Sequence, residues 1–229
     1  MKYQWDFTFL AHYEALFRVG VLVTLGYTIG SILLGLVIGL VLGIALLAKS
    51  RALHVAVMGL VEAFRCTPLL VQLVWFYYAL PVLISVQIPA NIAAGTVLSL
   101  YTGVFYAEIF RGGIVSIERG QWDAARALGL PRWVMMRRII LPQAVRRMLP
   151  PFVNQSITQL KNTSLVSTIA VPDLLYQGTL ITADTYRPLE VYTAVALIYF
   201  CLLFPATILA RLVEHRMQGK DRRGAAAAG

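Results

Sequence analysis

Acidic residues and cysteines are scarce in this sequence. Eleven Asp and Glu stand against twenty Lys and Arg, and only 14% of the 229 residues are charged. Soluble domains carry about 25% charge, so the deficit excludes an ordinary water-facing surface. The two cysteines, Cys66 and Cys201, lie in apolar surroundings and are read as small buried hydrophobes. They offer neither a disulfide framework nor metal-ligand spacing. The three histidines, His12, His54 and His215, are isolated, so no Ser-His-Asp set can be drawn. No phosphate-binding G-x-x-x-x-G-K-[ST] loop occurs, because Gly219-Lys220 is followed by Asp221 and lacks the upstream glycine. These absences remove catalysis and metal binding from the expectations.

What is present is apolar length. Hydrophobic residues make up 59% and mean hydropathy is +0.71, the composition of an all-α integral membrane protein with one domain. The net charge of +9 could suggest nucleic acid, but the arginines cluster beside membrane runs and are not interleaved with aromatics. Residues 1–18 read as an interfacial segment, 19–215 as the membrane domain and 216–229 as a basic tail. The spans expected are 19–48, 69–86 with a kink at Pro81, 92–110, 152–171 and 189–210. Residues 53–66 read as an interfacial helix. Gly26 and Gly30, then Gly35, Gly39 and Gly43, recur every four residues in the first span. Gly95, Ser99, Gly103 and Ala107 do so in the third. Both series place small residues on one face, where helices pack closely in lipid.

Residues 152–171 are too polar for a hydropathy assignment, yet topology demands that they cross. The loop 112–147 and the tail are both basic, so both should be cytoplasmic, and an even number of crossings must separate them. Fifteen of the twenty Lys and Arg then lie inside, with the N-terminus outside. The fourth span carries Asn154, Gln155, Thr158, Gln159, Lys161, Asn162 and Ser164. Intramembrane ionisable groups are costly, at least ~2.5 kcal/mol each, so this face is expected to line a polar path. For Lys161 itself, a structural pair with an acid and contact with a carboxylate both stay open. Glu62 with Arg65, and Glu108 with Arg111, are spaced i, i+3 for local ion pairs.

The loop 112–147 reads as a helix-turn-helix knob. Gly120 breaks the preceding helix, and a short helix spans Gln121 to Leu128 with Asp123 in its first turn. Gly129 sits just past its end, where a left-handed backbone suits glycine, and Pro131 opens a second short helix. Ala124 and Ala125 leave room for another protein's surface to approach.

These stretches resemble the permease subunits of polar amino acid ATP-binding-cassette importers. The alanine-rich cytoplasmic motif stands here as Asp123-Ala124-Ala125, Gly129 and Leu141-Pro142. Residues 65–73, RCTPLLVQL, resemble the family's R-G-T-P-L-L-V-Q-L stretch. Residues 106–114, YAEIFRGGI, continuing to Gly120-Gln121, and residues 161–165, KNTSL, also match. The likeness covers about residues 15–215. It implies five transmembrane helices of the type I importer (MetI-like) permease fold in a bacterial cytoplasmic membrane. It also implies a second permease subunit, two ATPase subunits that bind ATP and Mg, and an external amino acid binding protein. Gln121, Asp123, Ala124, Ala125, Leu128 and Gly129 would form the coupling helix that meets the ATPase. Asp123 replaces the usual Glu and Cys66 the usual Gly. Two other readings compete: a self-sufficient ion-coupled carrier, which the shortage of intramembrane acids disfavours, and a membrane anchor, which has no use for a polar span.

Overall fold

Ten α-helices order the chain in this computed structural model, which describes residues 3–226, without the side chains of 213–226. Lys2 therefore lies outside the described residues, as do the side chains of Arg216, Lys220, Arg222 and Arg223 in the tail. The helices are α1 Glu14–Leu46, α2 Arg51–Arg65, α3 Leu69–Val74, α4 Leu80–Ile84 and α5 Ala90–Val115. They continue as α6 Arg119–Ala127, α7 Arg132–Met135, α8 Leu141–Asn162, α9 Leu174–Thr185 and α10 Pro188–Ala226. Three stretches are long and apolar enough to cross a membrane: Thr8–Leu46, Ala90–Val115 and Pro188–Leu212. The pair Arg51–Arg65 and Leu69–Ile84, bent by 101°, passes the same test together.

The centre of the bundle is the α1–α5 contact, and small residues set its closeness. A Cβ added at Gly35 would stand 2.8 Å from Thr102 Cγ2, and at Gly39 2.5 Å from Tyr106 Cβ and 2.9 Å from the Gly103 carbonyl. At Gly43 it would meet Phe110 Cβ at 2.8 Å, and at Gly103 it would meet Ile38 Cγ2 at 2.6 Å. The backbones touch because no side chain intervenes. Gly26 and Gly30, expected on such a face, meet nothing within 4 Å, because at this level α1 turns Thr24, Thr28 and Ser31 inward and the two glycines lie off that face. A second core gathers Leu73, Val97, Leu98, Val166 and Ile169 at the far side of α5.

Two proline-containing helices begin with a widened turn. A π-turn at Trp75–Ala79 precedes Pro81, and another at Met136–Ile140 precedes Pro142. A proline ring collides with the carbonyl four residues back, and a π-turn relieves that collision without ending the helix. The expected kink at Pro81 therefore begins one turn earlier. Trp75 and Tyr78 are exposed there, while Tyr77 packs on the core. At the 101° bend, Gln72 Nε2 donates to the carbonyls of Phe64 at 2.7 Å and Thr67 at 2.9 Å. One side chain thus ties the end of α2 to the start of α3. Cys66 at this bend and Cys201 on α10 are exposed, which corrects their reading as buried residues. The bend turns Cys66 outward, and Cys201 sits on the open face of α10.

The polar helix α8 begins earlier than the sequence suggests, and it is not among the stretches apolar enough to cross by composition. Pro150 and Pro151 lie inside α8 instead of opening it. Packing on both sides carries the helix through them: Met148 is buried before the pair, and after it the Phe152 ring meets those of Tyr106 and Phe110, each at 4.8 Å. Beyond Asn162 the chain tightens into a 3-10 turn, Thr163–Ile169, that ends at left-handed Ala170. The hydroxyls of Thr163, Ser164, Ser167 and Thr168 each donate to the carbonyl three residues back, which satisfies the tightened backbone. α9, which no sequence pattern marks, is capped by Asp173, whose carboxylate accepts from Tyr176 N at 2.9 Å and from Tyr199 Oη at 3.3 Å. The N-terminal segment folds over the start of α10: the Tyr3 hydroxyl, the Asp6 amide and Arg187 all reach the buried Glu190 carboxylate.

Candidate functional site: a polar cavity and a helical knob

The polar residues of α8 divide between two faces. Ser156 and Gln159 point inward. The Ser156 hydroxyl shares a 2.7 Å hydrogen bond with Tyr106 of α5, and Gln159 Nε2 donates to Ser31 Oγ of α1 at 3.0 Å. Gln159 is fully buried. These bonds join helices, the usual role of polar groups between packed spans. Asn154, Thr158 and Lys161 follow i, i+4, i+7 on the opposite, exposed face, with Gln155 half-buried at its edge.

A cavity of about 630 Å³ opens between α5 and α8 on this second face. Asn154, Gln155 and Thr158 line it from α8, and Phe105, Glu108 and Gly112 line it from α5. Arg65 of α2 and Arg147 complete the wall. Gln155 lines the cavity, while its Nε2 is buried with no hydrogen-bond partner, at a cost of about 1–3 kcal/mol. The Glu62–Arg65 pair closes at 3.0 Å, and Arg111 grips Glu108 through two nitrogens at 3.1 and 2.9 Å. Arg65 and Glu108 are at once members of these pairs and wall residues of the cavity. Of the other residues expected on the path, Gln159 is committed to Ser31. Lys161, Asn162 and Ser164 lie beyond the cavity wall. Lys161 is exposed and makes no ion pair among the described residues. In the sequence Arg147 is one of many arginines of the basic loop. No local pattern could single it out, since its contacts, Glu118 at 3.9 Å and the Ser116 carbonyl, come from a distant part of the chain.

The knob packs on the bundle through one apolar cluster that joins Trp122, Ala125 and Met135 to Ile109, Phe110 and Ile114 of α5 and to Ala144 and Met148 of α8. α6 starts at Arg119, two residues before the expected start, so Gly120 lies within it and Asp123 lies past the first turn. Asp123 instead pairs with Arg126 at 3.2 Å on an exposed face. The helix ends as a Schellman turn: Gly129 takes φ +68°, its amide donates to the Arg126 carbonyl at 2.9 Å, and Leu130 N donates to Ala125 O at 3.2 Å. Pro131 precedes α7 as its N-cap residue, one place before its expected position. Ala125 is buried against Met135, Ile140 and Ala144, so it builds the knob's own core and cannot meet a partner directly. Ala124 and Leu128 are open, the latter 75% exposed, and Gln121 accepts from Gln143.

A helical bundle with several candidate spans, a polar cavity against one polar helix, and a structured knob outside defines a multi-pass membrane permease. The chain belongs to the family of binding-protein-dependent transport system inner membrane components, whose profile matches residues 20–219. The glutamine transport system permease protein GlnP of Escherichia coli (strain K12) is 41% identical over 166 residues, which cover 72% of this chain and 75% of that protein. The crystal structure of an amino acid ABC transporter with histidines superposes with a TM-score of 0.88 at 34% identity, covering 93% of this chain and all of the other. The inward-facing MetNI methionine ABC transporter shares the fold, with a TM-score of 0.65 at 22% identity over 86% of this chain and 96% of its own. The chain is thus a non-catalytic inner-membrane subunit of a complex that includes ATPase subunits and a binding protein. Family membership sets aside the ion-coupled carrier and the bare anchor.

Proposed function

We propose that this chain forms the translocation path of an importer for a polar amino acid of the glutamine class, with the α5–α8 cavity as the solute's station on that path. The cavity carries the argument. Its wall presents a carboxylate at Glu108, guanidinium groups at Arg65 and Arg147, and neutral amides at Asn154 and Gln155. A zwitterion with a polar side chain needs such a mixture. The relatives named for glutamine and for amino acid transport support the same class.

In this reading the chain crosses five times, with its N-terminus outside. α8 makes the fourth crossing: its 22 residues extend about 33 Å. The exposed stripe that ends at Lys161 faces a second permease, a copy or a relative, because lipid would leave the Lys161 ammonium without a partner. The ATPase meets the knob at Leu128, Ala124, Gln121 and the Asp123 carboxylate, with Gly129 shaping the turn. ATP and Mg stay on that partner, and the binding protein delivers solute from the other side. The test is uptake by the assembled importer in proteoliposomes. Replacing Gln155 and Thr158 by Ala should raise the KM for glutamine without dissolving the complex. Unchanged uptake kinetics in both variants would remove the cavity from the path.

A further inference from the structure

One column of exposed side chains has no use in transport or in coupling as described. Trp133, Arg137, Leu141, Val145 and Leu149 follow one another at intervals of four from α7 into α8. Trp133 is 69% exposed, and Leu141, Val145 and Leu149 are each more than 40% exposed. The π-turn at Met136–Ile140 keeps the column straight. An unbroken α-helix drifts steadily at i+4 spacing, and the wider turn sets that drift back. The Arg137 guanidinium lies 5.8 Å from the centroid of the Trp133 ring. Arg132, Arg138 and Arg146 are exposed beside the column and have no acidic partner among the described residues. The knob's two acids are already engaged, Glu118 with Arg147 and Asp123 with Arg126.

We propose that this face docks on anionic phospholipid, with Arg132, Arg137 and Arg138 on the headgroup phosphates, Trp133 at the interface and Leu141, Val145 and Leu149 among the acyl chains. The order of the column is what commits it to lipid. A cation and an indole come first and aliphatics follow along one face, as at the boundary between headgroups and hydrocarbon. A soluble partner could cover Trp133 and the arginines but could not follow the aliphatic residues into the bundle's own depth. The uncompensated positive charge selects anionic over zwitterionic headgroups, by about fivefold in affinity for each arginine near the surface.

The experiment uses the assembled importer in nanodiscs. In the W5F/W75F/W122F variant, Trp133 is the only remaining indole of this chain, and the partners' tryptophans are replaced likewise. Brominated phosphatidylglycerol should quench it more strongly than brominated phosphatidylcholine at equal mole fraction. The preference should fall at high salt and disappear with R132Q/R137Q/R138Q. Equal quenching by the two lipids overturns the proposal. So does an unquenched Trp133 that becomes shielded from iodide only when the ATPase or a second permease is added. Native mass spectrometry gives an answer without the tryptophan changes. R132Q/R137Q/R138Q in an otherwise unaltered complex should retain less phosphatidylglycerol, and unchanged retention again refutes it.

Discussion

At Gly39 the whole α1–α5 contact narrows to one missing methyl group. An alanine there would press its Cβ against Tyr106 Cβ and the Gly103 carbonyl at 2.5 and 2.9 Å, and the carbonyl cannot rotate away. Gly39→Ala should therefore lower stability by about 1–3 kcal/mol, seen as a drop in the detergent melting temperature of the purified complex. Gly30→Ala, whose Cβ meets nothing within 4 Å, should be neutral or better, since alanine favours helix by about 1 kcal/mol. The sequence showed both glycine series with equal clarity, because a spacing of four identifies a face but not what lies opposite. Lys161 tests a different residue-scale point. It is exposed and unpaired within this chain, so Lys161→Met should leave the fold's melting temperature intact while reducing uptake. A collapse of the melting temperature would show a structural partner.

α8 is the element where the sequence said most and misled most. Its polarity was legible in composition, and so was the reason that it cannot face lipid. Its two faces were not: Ser156 and Gln159 point inward only because Tyr106 and Ser31 wait there, 50 and 128 residues away. The prolines misplaced its start, because two adjacent prolines normally close a helix and only the contacts of Met148 and Phe152 carry the chain past them. Two other joints make measurable predictions. Gln72→Ala would leave the Phe64 and Thr67 carbonyls without a donor at the 101° bend. It should cost about 1–3 kcal/mol and increase protease nicking between α2 and α3. At the start of α9, Asp173→Ala should cost about 1 kcal/mol, whereas Asp173→Asn, an equally good cap, should cost little. Thermal melts of the two variants side by side decide this.

The molecule as a whole joins a helical bundle to a compact knob, and the two were legible to different degrees. The knob's turn could be read directly, since Gly129 has one conformational job and performs it. Which of its alanines faces outward could not, because Ala125 turns inward against residues that follow it in the chain. Coupling is tested on the assembled importer. Gly129→Val forces a β-branched residue into a left-handed backbone, and Asp123→Arg reverses an exposed charge. Each should reduce solute-stimulated ATP hydrolysis severalfold while binding-protein affinity for solute stays unchanged. Wild-type hydrolysis in both would remove the knob from the coupling route.

The interlocked backbones of α1 and α5 have a mechanical consequence. Gly35, Gly39 and Gly43 bed against Thr102, Gly103, Tyr106, Ala107 and Phe110 over more than two turns, so neither helix can slide along the other without steric collision. α5 ends only four residues before the knob's first helix begins. A displacement applied at the knob therefore reaches a two-helix strut that translates and tilts as one body. The compliance of the subunit must lie elsewhere, at the stapled bend and at the two widened turns.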